Sequence, residues 1–280
     1  QSAREAARRA QCRDHLRQTA LATLQFAEAH DGRLPALWRT DREFAWENFS
    51  WRCDVLPFLE QTDLQRRIDW ESLPLEGQNL VVAQTQTPTF ICPSAPDNPR
   101  EIDILGGPIV NAAAMRLAAT DYVAVHDVSV AETTAPLLGA WGQAMIESDL
   151  DMAPSPAINV DRKNPFVRTL AGRLPAITDG LSRTALLVEQ AGKPRHYTPA
   201  LSEDESVPSE GAWATAEVAS FYAEGLNADN FTGVFAFHHG AHVALGDGSV
   251  HLLSASVSGE VLAAILSREG DEILDSNDWD

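Results

Sequence analysis

Residues 233–254 read GVFAFHHGAHVALGDGSVHLLS, and this stretch decides the fold class. Two apolar runs in partial alternation, Ala241 to Gly246 and Ser249 to Ser254, flank Asp247-Gly248. Asp-Gly between such runs favours a two-residue turn of type I′, because both central positions of that turn need positive φ. Gly233 to His238 reads as a further strand, with His239-Gly240 as the turn that follows it. The expected product is an antiparallel meander closed by a helix over Val257 to Leu266.

Upstream, the pattern changes from strands to a helix. Residues 1–30 are rich in Ala and Arg, free of Gly and Pro, and place Cys12, Leu16, Ala20, Leu24 and Ala27 at spacings of three and four. His30, Asp31 and Gly32 supply the stop. The first three turns are nearly all polar or Ala, so only the second half needs to pack on a domain. Between helix and meander, Val55 to Arg67 reads as a short helix with Leu56, Leu59 and Leu64 inward, and residues 78–85 as a further helical turn. Thr89 to Cys92, Val123 to Val130 and Thr184 to Gln190 read as strands. The fold class is therefore α+β: a long N-terminal helix, 1–30, packed on an antiparallel sheet within a loop-rich globular domain, 31–280.

The formal charge is −19, which repels a phosphate backbone and excludes nucleic acid as the expected partner. Arg4, Arg8, Arg9, Arg13 and Arg17 nevertheless crowd the first helix, while the C-terminus is acidic. The chain holds no run of 18 apolar residues, the length a membrane span requires. Cys12, Cys53 and Cys92 are too few for a disulfide framework. Buried thiols are the plain reading, and Cys53 with Cys92 is the pair to test.

Four of eight histidines fall within fourteen residues: His238, His239, His242 and His251. With Asp247-Gly248 as a two-residue turn, Ala244 faces His251 and Leu253 faces His242, which makes His242 and His251 diagonal neighbours on one face. His238, His242 and His251 are thus the candidate metal ligands, for zinc above all, although no Cys or Glu nearby completes the set. Ser249, His251 and Asp247 are the residue types of a catalytic triad, yet neighbours around a tight turn are expected on different faces. An enzyme is the third choice of function. Asp271, Glu272, Asp275, Asn277 and Asp278 suit Ca²⁺ by their oxygen ligands but lack the Gly and terminal Glu of an EF-hand loop. Trp38, Trp46, Trp141 and Trp213 are candidate sugar-stacking faces, with core packing as the competing explanation.

Several stretches together carry a resemblance: Ala3-Arg4-Glu5-Ala6-Ala7-Arg8-Arg9-Ala10-Gln11-Cys12, Ser50-Trp51-Arg52, Leu56-Pro57-Phe58-Leu59-Glu60-Gln61, Phe90-Ile91-Cys92-Pro93-Ser94, Thr120-Asp121-Tyr122 and Ile177-Thr178-Asp179-Gly180. In this order the chain resembles the planctomycete family of prepilin-type, pseudopilin-like proteins, catalogued as a domain of unknown function and as bacterial solute-binding protein family 10. That family's C-terminal signature is a His, nine residues, then Asp-Gly; here His238 precedes Asp247-Gly248 by one residue fewer. The resemblance implies a pilin-like fold, a membrane-inserting segment upstream of Gln1, and a domain displayed in the periplasm or at the cell surface. It implies as partners other pilin-like subunits or a type II secretion-like or pilus machinery. The competing expectation is a tethered module that binds a solute or glycan. No cofactor follows from either, with Ca²⁺ or zinc as the ions to test.

Overall fold

A computed structural model describes residues 2–37, 48–104, 115–129, 137–141, 159–160, 168–169, 172–198, 203–204, 211–216, 219–222 and 225–268. Helix α1 runs Ser2–Ala29 and stops where the sequence says it should: Asp31 and Gly32 take positive φ, and the Gly32 N–H returns to the Ala27 carbonyl. Three short helices follow, α2 (Trp51–Val55), α3 (Thr62–Gln65) and α4 (Gly77–Ala83). The continuous helix expected over Val55 to Arg67 is interrupted by a 3₁₀ turn at Leu56–Leu59, with Pro57 in its first turn and Glu60 left-handed at its end. The expected strand at Thr89 to Cys92 is likewise a 3₁₀ turn, Pro88–Phe90.

The strands are β1 (Glu101–Ile104), β2 (Met115–Ala118), β3 (Tyr122–Ser129), β4 (Leu137–Leu138), β5 (Asn159–Val160), β6 (Arg168–Thr169), β7 (Ala185–Glu189), β8 (His196–Tyr197), β9 (Glu203–Asp204), β10 (Ala219–Tyr222), β11 (Ala241–Leu245) and β12 (Val250–Leu253). Helix α5 (Gly259–Leu266) closes the described chain, its N-terminus capped by Ser258. The principal sheet has the order β10-β3-β7-β11-β12, with β4 added on β3. Its pairs are antiparallel except β10 with β3, which run parallel. Residues 233–238 form no strand; Phe235 makes only an isolated bridge to Gln190.

Side-chain alternation divides this sheet between two helices. Tyr122, Ala124, Leu187 and Ala244 face α1, where they meet Cys12, Leu16, Ala20 and Ala27. Val123, Val125, Val188, Val243 and Leu245 face α5, where Leu262, Ile265 and Leu266 cover them. Small residues on α1 allow its close approach: Thr19, Ala20, Thr23 and Ala27 are fully buried, and the two threonine hydroxyls donate to the carbonyls one turn back, His15 and Thr19. A third cluster, built on Phe49, Cys53, Leu56, Val82, Phe90 and Trp213, fills the side of the molecule that carries the short helices.

Burial on α1 begins at Cys12; residues 3–11 are exposed or half-exposed. Cys12 is bonded to Cys92, eighty residues away. The pair Cys53 and Cys92 is therefore the wrong one. Cys53 is the free thiol, buried in the third cluster with its Sγ directed at the Ala214 carbonyl.

Candidate functional site

A buried polar cluster lies beside that disulfide. Glu189 ends β7 on the α1 face, opposite Tyr122 in the sheet register, and is fully buried. Two imidazoles face its carboxylate: His238 Nε2 at 3.1 Å and His242 Nδ1 at 3.2 Å from Oε2, while the His242 backbone N–H donates to the same oxygen at 2.6 Å. Burial acts to raise the Glu189 pKa, but the hydrogen bonds and charges of His238 and His242 outweigh it and bring the value down to about 2. The carboxylate is thus ionised at neutral pH. Ligand-type atoms of Cys12, Cys92, Glu189 and His238 all lie within 4.8 Å of one another, so the disulfide sulfurs border this cluster.

Tyr122 and Asp121 tie the cluster to the rest of the core. The Tyr122 hydroxyl donates to the Cys12 carbonyl at 3.0 Å, and its pKa is raised well above the ordinary value, first by burial and then by the charges of Glu189 and Asp121. Asp121 accepts from the Cys92 and Gly192 backbone N–H groups and pairs with the buried Arg100 guanidinium. Arg52, stacked on Trp51, donates to the Tyr122 carbonyl. Each of these buried charges is compensated by hydrogen bonds, which is the condition for its tolerance in a core.

A family model described as "Protein of unknown function (DUF1559)" matches residues 1–260. The chain belongs to this family. No curated protein and no solved structure matches it. In this DUF1559 chain the structure brings some of the residues singled out by sequence together and separates others. His238 and His242 do come together, with ring centroids 4.7 Å apart. His251 does not join them. The turn at Asp247-Gly248 is three residues long, not two: the Gly248 N–H bonds to the Leu245 carbonyl, Gly248 sits at φ 84°, and the Leu245 N–H bonds to Ser249. A turn followed by a left-handed Gly adds one residue to the loop. The register becomes Ala244 with Val250 and Val243 with His251, which puts His251 on the α5 face and His242 on the α1 face. The three histidines therefore form no common ligand set. Glu189, sixty-two residues before His251 in sequence, is the third member of the cluster.

The same correction touches the turn triad. Ser249 and His251 share a face, so Ser249 Oγ lies 3.1 Å from His251 Nε2 and donates to Asp247 Oδ1 at 2.7 Å. Serine stands in the middle, however. Its single proton goes to the carboxylate, so the imidazole donates to serine and is not placed as its base, unlike a Ser-His-Asp relay. Asp247 also accepts the Ser249 backbone N–H, which makes it the cap of the turn. Of the tryptophans, Trp141 and Trp213 are fully buried and donate to the Pro35 and Thr85 carbonyls, so neither offers a sugar-stacking face. Trp38, Trp46 and the acidic residues Asp271, Glu272, Asp275 and Asp278 lie outside the described residues.

One solvent-facing cleft adjoins the cluster. It has a volume of about 260 Å³ and lies between the first turns of α1 and the β11–β12 hairpin, with Arg9 and Arg13 on one side and His242, Val250 and Leu252 on the other. Among the described residues, no helix is long and apolar enough to cross a membrane.

Proposed function

We propose that this chain is a non-catalytic, pilin-like subunit of the cell envelope, whose first helix engages neighbouring subunits while the sheet domain is displayed outside the cytoplasm. The observation that carries the reading is the way α1 meets the sheet. From Cys12 onward the helix is buried on a small-residue stripe, whereas residues 3–11 are exposed or half-exposed, joined to the domain by the hydrogen bond from Ser94 to Glu5 and facing the β11–β12 hairpin across an open cleft. Its exposed turns carry Arg4 and Arg8 in a chain of net charge −19, a contrast suited to contact with the acidic body of another copy.

The disulfide supports the compartment. Cystines persist in oxidising surroundings and are rare in cytosolic proteins.

The test is photo-crosslinking in cells of the natural source, with a photoreactive side chain in place of Ala7 or Gln11 on the bare turns. Bands at multiples of the chain's own mass are expected after irradiation. The chain only at monomer mass, or Cys12 and Cys92 open to alkylation in cells without a reductant, overturns the reading.

A further inference from the structure

We infer that the cleft between α1 and the β11–β12 hairpin binds a small organic oxyanion, a carboxylate or phosphate ester with a short apolar substituent. The inference goes beyond the subunit reading and does not depend on it.

The helix side of the cleft is set by spacing. Ala6, Arg9, Ala10 and Arg13 line it together, which are positions i, i+3, i+4 and i+7 of one helical face. The two alanines leave room between two guanidinium stems. In a chain with 40 acidic and 21 basic residues, a cleft wall formed by two arginines and no acid is a segregated positive site. Arg13 reaches Asp14 at 3.6 Å, but both side chains are more than half exposed, so this pair holds the guanidinium only weakly. Guanidinium forks fit the two oxygens of a carboxylate or phosphate better than any other side chain does.

The sheet side supplies an imidazole and an apolar wall. His242 and Leu252 are register partners, and Val250 lies two residues along the same strand, so all three side chains share the face that looks at α1. His242 is 3% exposed and meets Glu189 through Nδ1, yet its ring also lines the cleft. Leu252 is 40% exposed and is one of few large apolar side chains so placed among the described residues. Two cations on one wall and an imidazole beside Leu252 and Val250 on the other ask for a ligand with an anionic head and an apolar body. The volume, about 260 Å³, lies just under the range of roughly 300–1,000 Å³ found for drug-sized ligands, so the body is short.

Titration calorimetry on the whole chain tests this with hexyl phosphate and hexanoate, against hexylamine and inorganic phosphate. Saturable binding is expected for at least one alkyl anion and none for hexylamine. The double variant R9Q/R13Q, altered at two surface positions of α1, should lose at least about tenfold in affinity, the effect of about 1.4 kcal/mol. Leu252→Asn should weaken hexyl phosphate and leave inorganic phosphate unchanged. No saturable heat with either alkyl anion, or equal affinity in R9Q/R13Q, overturns the site. Equal affinity for hexyl and inorganic phosphate overturns its apolar half.

Discussion

Glu189 holds two histidines and a backbone amide in a place where an unpaired charge would be costly. Its pKa, lowered to about 2 by His238 and His242 against the opposing effect of burial, fixes the sign of its contribution to stability. The unfolded carboxylate titrates near 4.3. The stabilisation is therefore complete above that value and is lost as pH falls through the folded value near 2. Acid unfolding should accordingly steepen between about pH 5 and pH 2. Glu189→Gln removes this segment of the profile, and at pH 7 it costs about 2 kcal/mol because the His242 backbone N–H and the two imidazoles lose the buried carboxylate oxygen they face. Urea unfolding followed across this pH range checks both parts. A variant whose midpoint parallels that of the wild type down to pH 2 would show that the carboxylate is not the group responsible.

At the scale of elements, helices α1 and α5 and four strands of the principal sheet were legible in the sequence, whereas the strands read at Thr89 to Cys92 and Gly233 to His238 are a 3₁₀ turn and an irregular segment. The α1 stripe from Cys12 to Ala27, the α5 segment and strands β3, β7, β11 and β12 all follow from periods of 3.6 and 2. At the hairpin the failure was a matter of one residue: Asp-Gly was read as the whole turn, when Gly246 belongs to it as well, and this sent His251 to the far face. The site failed to appear for a different reason. Glu189 stands at the end of an apolar strand, with no local partner, and only the pairing of β7 with β11 brings it to His242. Likewise, nothing in the spacing of Cys12 and Cys92 favours their pairing over Cys53 with Cys92; the choice is made by α1 docking beside the 3₁₀ turn at Phe90. That docking gives the element-scale prediction. A cross-link closing a loop of about eighty residues contributes about 4.5 kcal/mol in the chain-entropy account. Replacing Cys12 and Cys92 by Ala should lower stability by roughly that amount, and amide exchange should accelerate first in α1. An unchanged urea midpoint would count against it.

For the whole molecule, charge is the dominant fact. A net −19 on one chain destabilises the compact state by self-repulsion, and salt screens it, since the Debye length falls from about 30 Å at 0.01 M to about 10 Å at 0.1 M. The melting temperature should therefore rise between about 10 mM and 300 mM NaCl, as followed by calorimetry at pH 7. A fall would mean that attractive surface pairs outweigh the repulsion. The position of Cys12 has a further, mechanical consequence. A pull along α1 from its bare end does not have to be carried by helix-on-sheet packing one residue at a time. It passes through the cystine to Cys92, whose N–H is held by Asp121 at the start of β3, and so enters the sheet at a strand paired on both sides. Under such a pull the cystine keeps the helix from being peeled off the sheet before the disulfide or the strand pairing gives way.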